Sequence, residues 1–150
     1  LRKCLYWGIN SVKLQKATQY GLYAVLELAR DASCQLSAND IAEKYGISSN
    51  HLAKVLRDLG RAGLVDSVRG VGGGYTFSGN SKRITLMDVI NIFEDIGGEA
   101  TSASETGDYT DIGRALLMVC SEIDEITEAT FGSITLDTLL KIMRKHDRAK

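Results

Sequence analysis

The chain has 150 residues, a net charge of −1, and 44% hydrophobic and 25% charged residues, a composition that is ordinary for a globular protein. It has no apolar run long enough to span a membrane and no secretory leader, so we expect a cytoplasmic protein with no membrane partner. Its three cysteines, Cys4, Cys34 and Cys120, lie far apart, which argues against a disulfide framework and leaves no CxxC pair.

The small net charge hides two halves of opposite sign. Residues 12–83 carry ten Lys and Arg against six Asp and Glu, which gives +4. Residues 84–150 carry six against thirteen, which gives −7. Because basic surfaces attract phosphate backbones and acidic surfaces repel them, the first half is the candidate for a nucleic-acid contact.

The first segment, residues 1–11, has the sequence LRKCLYWGINS and shows no clear periodicity. We expect a leader that is non-native or disordered, with Val12 as the natural start of the chain. The alternative is a functional arm in which Tyr6 and Trp7 pack against another surface.

A long first helix is predicted from Lys13 to Asp31, and Thr18 can cap its start. Polar side chains at its beginning, Lys16, Thr18 and Gln19, could contact DNA phosphates through the helix N-terminus, or could simply be solvated. The apolar face of this helix is broad and consists of Tyr20, Tyr23, Ala24, Leu26, Leu28 and Ala29.

Two further helices joined by a tight turn are predicted over residues 39–63. The first ends at Tyr45 and has Ser37 as its cap, and Gly46 can adopt the positive φ of the turn. Ser48 or Ser49 can cap the second helix, and Gly63 fits just past its end. The buried stripe of the second helix is Leu52, Val55, Leu56 and Leu59.

Polar side chains of this second helix lie off the buried stripe and face outward. They are Ser49, Asn50, His51, Lys54, Arg57 and Arg61. The arrangement is typical of a helix-turn-helix, in which the second helix offers polar side chains to the major groove of DNA. The alternative is an ordinary pair of helices within a core.

A glycine-rich stretch, residues 70–74, separates two short strand-like runs at residues 64–69 and 75–77. Two strands joined by a flexible tip predict a hairpin, or wing. Arg69 at its base, beside Gly70, Gly72 and Gly73, could lie against a phosphate or in a narrow minor groove. The glycines alone could be a mere loop, but the helix pair and the hairpin in series favour a winged helix-turn-helix and a mainly α fold with a small β-wing.

Beyond the wing, Thr85 can cap a helix over Leu86–Ile96, and Thr135 can cap a last helix over Leu136–Lys145. Residues 97–110 are small, polar and acidic, which predicts a flexible loop. The predicted divisions of the chain are a leader (1–11), a winged helix-turn-helix domain (12–96), the loop (97–110), and a dimerisation helix with the C-terminal helix (111–150).

The long helix predicted from Asp111 to about Thr130 carries an apolar stripe at spacings of three and four. The rest of the chain offers little core to cover this stripe, so we expect it to pair with the same helix of a second subunit. Packing on its own domain is the alternative. The residues expected at the dimer contact are Ile112, Leu116, Val119, Ile123 and Ile126.

Four stretches resemble the Rrf2 (BadM-like) family of bacterial transcription regulators, from Val12 to about Leu140. They are KLQKATQYGLYAVLELA, IAEKYGISSNHLAKVLRDLGRAGLVDSVRGVGGGYTF, ITLMDVINIFED and SITLDTLL, and GLVDSVRGVGGGY is the most specific part. The resemblance implies a homodimer with a winged helix-turn-helix and a long crossing dimerisation helix in each chain. It implies binding to a double-stranded DNA operator, usually with repression of transcription.

By position, the resemblance places Asn50, His51 and Ala53 at the base-reading places and makes Arg69 the wing arginine. In the family an aromatic residue often occupies the place of His51, and a glutamate often occupies the place of Ala53. We therefore do not expect the operator preference of relatives to apply to this chain.

Many family members ligate an iron–sulfur cluster with three cysteines between the domain helix and the dimer helix. Here that interval has no cysteine, and Cys120 falls inside the long helix, where we expect a small buried apolar residue. Because thiolates are the usual cluster ligands, we expect no such cluster, no other cofactor and no metal site. Ligands from Asp108, Asp111 or a histidine remain the alternative, although no spacing argues for them.

Two other functions can be compared with DNA binding. An enzyme that cradles phosphate on residues 70–74 is disfavoured, because the loop lacks a GK[ST] ending and precedes a strand, so we expect no enzymatic activity. A protein-interaction module that kept the fold and lost DNA binding is the remaining alternative, since the chain is net acidic.

Overall fold

The computed structural model describes residues 13–96 and 110–149, and in these parts the chain forms six helices and two strands. The expectations for residues 1–11 and for the loop at 97–109 lie outside the described residues. The predicted mainly α fold with a small β-wing is confirmed. The elements are α1 (Lys16–Arg30), α2 (Ala38–Tyr45), α3 (Ser49–Arg61), β1 (Val65–Val68), β2 (Gly74–Phe77), α4 (Leu86–Phe93), α5 (Asp111–Ser133) and α6 (Leu136–Arg148).

Side-chain caps begin five of these helices. Ser37 and Asp40 form a reciprocal capping box at α2, in which each side chain accepts a backbone N–H of the other residue at 3.0–3.1 Å. A second such box begins α4. The capping residues at the other helices are Ser48 for α3, Thr110 for α5 and Thr135 for α6. The caps predicted for α2, α3, α4 and α6 are thus confirmed, the cap predicted for α1 is wrong, and no cap was predicted for α5.

The first helix begins at Lys16 rather than Lys13, and Thr18 is not its cap. The cap position is Gln15, whose backbone N–H donates to Oε1 of Glu94 at 3.0 Å. Thr18 is fully buried inside the helix, and its hydroxyl donates to the same carboxylate. Helix α4 stops at Phe93 instead of Ile96, because Glu94 adopts an extended conformation from which its carboxylate reaches α1.

The core lies among α1, α3 and α4, with α2 and the wing along its sides. Helix α3 buries Leu52, Leu56 and Leu59 completely. Each such leucine contributes about 1.5–3 kcal/mol through removal of its apolar surface from water. Leu136 of α6 belongs to the same cluster, so the C-terminal helix completes the core of the first domain.

The wing is an antiparallel pair in which Val65 lies opposite Phe77 and Val68 lies opposite Gly74. Leu36, in the connection between α1 and α2, forms an isolated antiparallel bridge with Tyr75 through two backbone hydrogen bonds of 2.8 and 3.1 Å. The wing is therefore fixed along its second strand to the connection that leads into α2.

The two C-terminal helices join the domain at the junction between them. Backbone hydrogen bonds link Leu86 to Ile134 and Leu136 to Ile84, at 2.8 and 2.9 Å. Both helices extend three residues beyond their predicted ends, to Ser133 and Arg148. In the described part of the chain, no helix is both long enough and apolar enough to cross a bilayer.

Candidate nucleic-acid interface

Helix α3 is amphipathic, with an apolar face that is buried in the core and a polar face that is exposed to solvent. Ser48 accepts the backbone N–H of His51 at 3.2 Å, and this bond fixes the first turn of the helix. Side chains that lie off the buried stripe are exposed to solvent, as predicted, and they are Ser49, Asn50, His51, Lys54, Arg57 and Arg61. Ala53, the third of the base-reading places that the resemblance implies, is half-buried.

The turn between α2 and α3 depends on Gly46, which has a φ of 66°. A side chain rarely adopts this left-handed conformation, so the glycine permits the chain to reverse directly before α3. The turn depends only on residues that are close in sequence, which is why the sequence could predict it. The predicted helix-turn-helix is present.

The tip of the wing requires glycine at several positions. Gly70 and Gly72 have φ values of 113° and 77°. At Gly73 an added Cβ would lie 2.6 Å from the carbonyl oxygen of Val68, far inside ordinary contact. Arg69 precedes this tip and is exposed, so its guanidinium is free to approach a ligand beside α3.

Sequence reasoning did not find the residues that hold the wing tip. The side-chain amide of Gln35 donates to the carbonyl oxygen of Gly72, and a Cβ added at Gly74 would lie 2.6 Å from the carbonyl oxygen of Leu36. The segment that contains Gln35 and Leu36 therefore supports the wing along its length. No local pattern indicates this, because the bonded residues are 37 positions apart.

A solvent-open depression lies between α3 and β1 and connects the two halves of the candidate interface. Arg57 and Arg61 of α3 line one wall, and Asp66 and Ser67 of β1 line the other, together with Tyr75. Helix α3 and the wing are thus neighbours, as a winged helix requires.

The start of α1 contributes fewer side chains to this surface than expected. Lys16 and Gln19 are exposed, and the amide of Gln19 donates to the carbonyl oxygen of Leu14 at 2.9 Å. Both expectations for Thr18, contact with a phosphate or simple solvation, are wrong, because the side chain is 0% exposed and hydrogen-bonded to Glu94. Its role is to bind α1 to the end of α4.

A polar cluster sets the position of α2 against α1. Glu27 accepts from Lys44 Nζ at 2.6 Å and from the Tyr45 hydroxyl at 2.5 Å, and Tyr23 stacks on Tyr45 with ring centroids 5.0 Å apart. Burial alone would raise the pKa of Glu27, but the hydrogen bonds from Lys44 and Tyr45 outweigh it, so this pKa lies below its ordinary value of 4.5. Burial, followed by the nearby carboxylate, raises the pKa of the Tyr45 phenol.

Helix α5 buries no side chain in the single chain. The five residues predicted at the dimer contact are between 55% and 74% exposed, and they are Ile112, Leu116, Val119, Ile123 and Ile126. Cys120 is also exposed, so the expectation that it is a buried apolar residue is wrong for the single chain. An apolar stripe of this length is unusual on a monomer surface.

Comparison with known proteins identifies relatives that are transcriptional regulators, in agreement with the winged helix-turn-helix described above. Residues 14–142 match the Rrf2 family, described as an iron-dependent transcriptional regulator. The chain is 54% identical over 132 residues to the HTH-type transcriptional regulator BadM of Rhodopseudomonas palustris, a match that covers 88% of this chain and 83% of that protein.

Solved structures show the same architecture. CymR, the global cysteine regulator of B. subtilis, has a TM-score of 0.69 at 28% identity and covers 87% of this chain and 98% of its own. T. potens IscR has a TM-score of 0.65 at 30% identity and covers 91% of both chains. The chain therefore belongs to the Rrf2 family of winged helix-turn-helix transcriptional regulators, and it is not an enzyme.

Proposed function

We propose that this regulator is a homodimeric repressor that binds a specific DNA operator through α3 and the wing. The observation that carries the proposal is the exposed polar face at the start of α3. The Ser48 cap fixes the first turn of this helix, and the helix lies beside a wing whose tip has a backbone conformation that favours glycine. A major groove about 12 Å wide admits one helix, and the N-terminal residues of a recognition helix lie nearest the base edges.

The exposed side chains divide into two kinds of contact. Asn50 and His51 are assigned to base edges. They lie in the first turn of α3, and the N-terminal residues of a helix in the major groove are those that contact the bases. Lys54 and Arg57 are assigned to phosphates, as are Ser49 and, on α1, Lys16 and Gln19. Arg69 is assigned to the wing contact, at a phosphate or in a narrow minor groove. The backbone of the tip glycines, Gly70, Gly72 and Gly73, approaches the duplex.

The same proposal pairs two copies of the chain through α5. The stripe of five exposed apolar side chains supports this assignment, because burying them against their equivalents removes them from water without any other element. The acidic second half of the chain then lies away from the DNA, while the basic first half of each copy faces it. We place the regulator in the cytoplasm, where a bacterial chromosome is found.

The family description includes iron, and we propose that this chain holds no three-thiolate cluster. Residues 97–110 contain no cysteine, and the two described cysteines are exposed in separate places, Cys34 in the connection between α1 and α2 and Cys120 on α5. Within residues 13–96 and 110–149, no three His, Cys, Asp or Glu side chains form a group that could hold a metal ion. Protein purified in air is expected to be colourless, and stoichiometric iron with acid-labile sulfide would contradict this.

Selection of binding sites from random duplex DNA with the full chain tests the proposal. The expected result is an enriched near-palindrome whose half-sites lie about one helical turn apart, or a multiple of it. A footprint over the promoter that contains this site should overlap the region that RNA polymerase occupies. If no sequence is enriched and genomic fragments are not retarded in a gel, the proposal fails and the protein-interaction module remains.

A further inference from the structure

We propose that Tyr20, on α1, is a positioning residue that holds the imidazole of His51 in the orientation in which it reads the operator. A residue outside the recognition helix would then set part of the sequence preference. The inference rests on the proposed function, since it gives a partner to one of the base-reading side chains.

The two rings form an edge-to-face pair. Their centroids are 5.3 Å apart and their planes meet at 87°. This is the geometry that aromatic rings prefer, because the positive edge of one ring faces the negative face of the other. His51 is exposed and, in the described part of the chain, Tyr20 is the aromatic partner of its ring.

The contact is rigid on the side of Tyr20. That side chain is half-buried and packs against the hydrophobic core, at the start of the second turn of α1. The next residue, Gly21, approaches the ring of Phe93 so closely that an added Cβ would lie 2.7 Å from its Cζ atom. The close packing at Gly21 restrains the backbone of α1 at this level, and the contact of Tyr20 with the core restrains its ring.

The backbone of His51 is fixed as well, by its hydrogen bond to Ser48. The remaining freedom lies in the side-chain torsions, and an exposed imidazole would otherwise populate several staggered rotamers. Ordering such a side chain on binding reduces affinity, and a side chain that can adopt several rotamers can also adapt to other base pairs. The contact with the Tyr20 ring restricts the rotamers of His51 in the free protein, before DNA binds.

The sequence position of Tyr20 adds a second consequence. It directly follows Gln19 and lies one turn after Lys16, both exposed at the start of α1. The proposed phosphate contacts of α1 and the base contact of α3 are thereby joined through one ring pair. A displacement of α1 on the DNA backbone would alter the orientation of His51.

The test is a double-mutant cycle on operator DNA and on variants with single base-pair changes. Tyr20→Phe keeps the ring and should retain the discrimination of the native protein. Tyr20→Leu should reduce discrimination at the base pair read by His51 by roughly two- to tenfold, the range expected of one aromatic pair. In the His51→Ala background, Tyr20→Leu should cause no further loss of discrimination. Full discrimination in Tyr20→Leu, or a loss that adds in full to that of His51→Ala, would overturn the proposal.

A measurement on the free protein distinguishes a loss of His51 positioning from a general loss of folded structure. In the native protein, NMR should show nuclear Overhauser contacts between the two rings and a ring-current shift of the His51 protons. The shift should persist in Tyr20→Phe and disappear in Tyr20→Leu. Absent ring contacts in the native protein contradict the proposal even if Tyr20→Leu fails to fold. If instead the ring contacts are seen but His51→Ala binds the operator like the native protein, the base-reading role in the proposed function has failed.

Discussion

Replacement of Gly21 by alanine should destabilise the protein, although the same change in most helices stabilises it. An alanine in a helix interior gains up to about 1 kcal/mol over glycine. Here, however, the added Cβ would lie 2.7 Å from Cζ of Phe93, whereas carbon atoms make favourable contact at about 3.5–4.0 Å. Cε2 of the same ring would lie still closer, so the ring must move by more than about 1 Å, and overpacking of this kind costs about 1–3 kcal/mol. The expected net result is a loss of about 1 kcal/mol.

Gly60 provides the matched control, because it is also helical and an added Cβ would meet its first neighbour, the carbonyl oxygen of Val65, at an ordinary 3.7 Å. Gly60→Ala should gain up to about 1 kcal/mol, so the two variants should differ by about 2 kcal/mol in urea unfolding. Equal stabilisation by both changes would show that α1 does not pack on Phe93 as described.

Three further changes test separate parts of the account. Gln35→Ala removes the bond to the wing tip and should weaken binding to all DNA sequences by roughly two- to tenfold in a titration, without lowering the melting temperature by more than a few degrees; unchanged binding would contradict the support role. Glu27→Gln should cost about 1–2 kcal/mol in unfolding at neutral pH. Because the folded pKa of Glu27 lies below the unfolded value of 4.5, this difference should persist above pH 4.5 and shrink as the pH falls through the folded pKa; a difference that grows in acid would refute it. Leu116→Lys combined with Ile123→Lys should give monomers in sedimentation, whereas Ser121→Lys, on the opposite side of α5, should leave the dimer intact; a dimer that persists in the double variant would contradict the α5 contact.

The local features of the interface could be predicted from the sequence because their causes lie within a few residues. The apolar spacing of α3, the cap at Ser48 and the left-handed Gly46 all depend on neighbours in the chain. The requirement for glycine at Gly70, Gly72 and Gly73 is equally local, since it arises from their own φ angles and from contacts only a few positions away. These signals were sufficient to locate the helix-turn-helix and the wing.

The features that were missed depend on residues far apart in sequence. Thr18 was expected at the surface because a threonine near a helix start is a plausible cap, but its hydroxyl donates a hydrogen bond to Glu94, 76 positions away. The same carboxylate explains the early end of α4. Contacts such as that between Tyr20 and His51 likewise arise only when α1 packs across α3, and helical periodicity cannot reveal them.

The burial of Cys120 was expected from its residue type, since cysteine is among the most buried residues. Its exposure follows from the position of α5, which packs chiefly on α4 and leaves the rest of its surface uncovered in the single chain. Sequence alone indicated the apolar stripe of α5 but could not show which sides of the helix its own domain covers.

The central claim, that α3 and the wing together bind DNA, is tested most directly by titration of His51→Ala and Arg69→Ala against operator and scrambled duplexes at several salt concentrations. His51→Ala should cost roughly 1–3 kcal/mol on the operator and relax the preference at one or two base pairs. If Arg69 contacts phosphate, Arg69→Ala should weaken all sequences alike and reduce the salt slope by about one unit, and if it enters a narrow minor groove, its loss should reduce the preference for A·T flanks. Lys141→Ala is the control, because it removes the same charge from α6, and it should leave the affinity, the sequence preference and the salt slope unchanged. Unchanged affinity, preference and salt slope in both His51→Ala and Arg69→Ala would contradict the account.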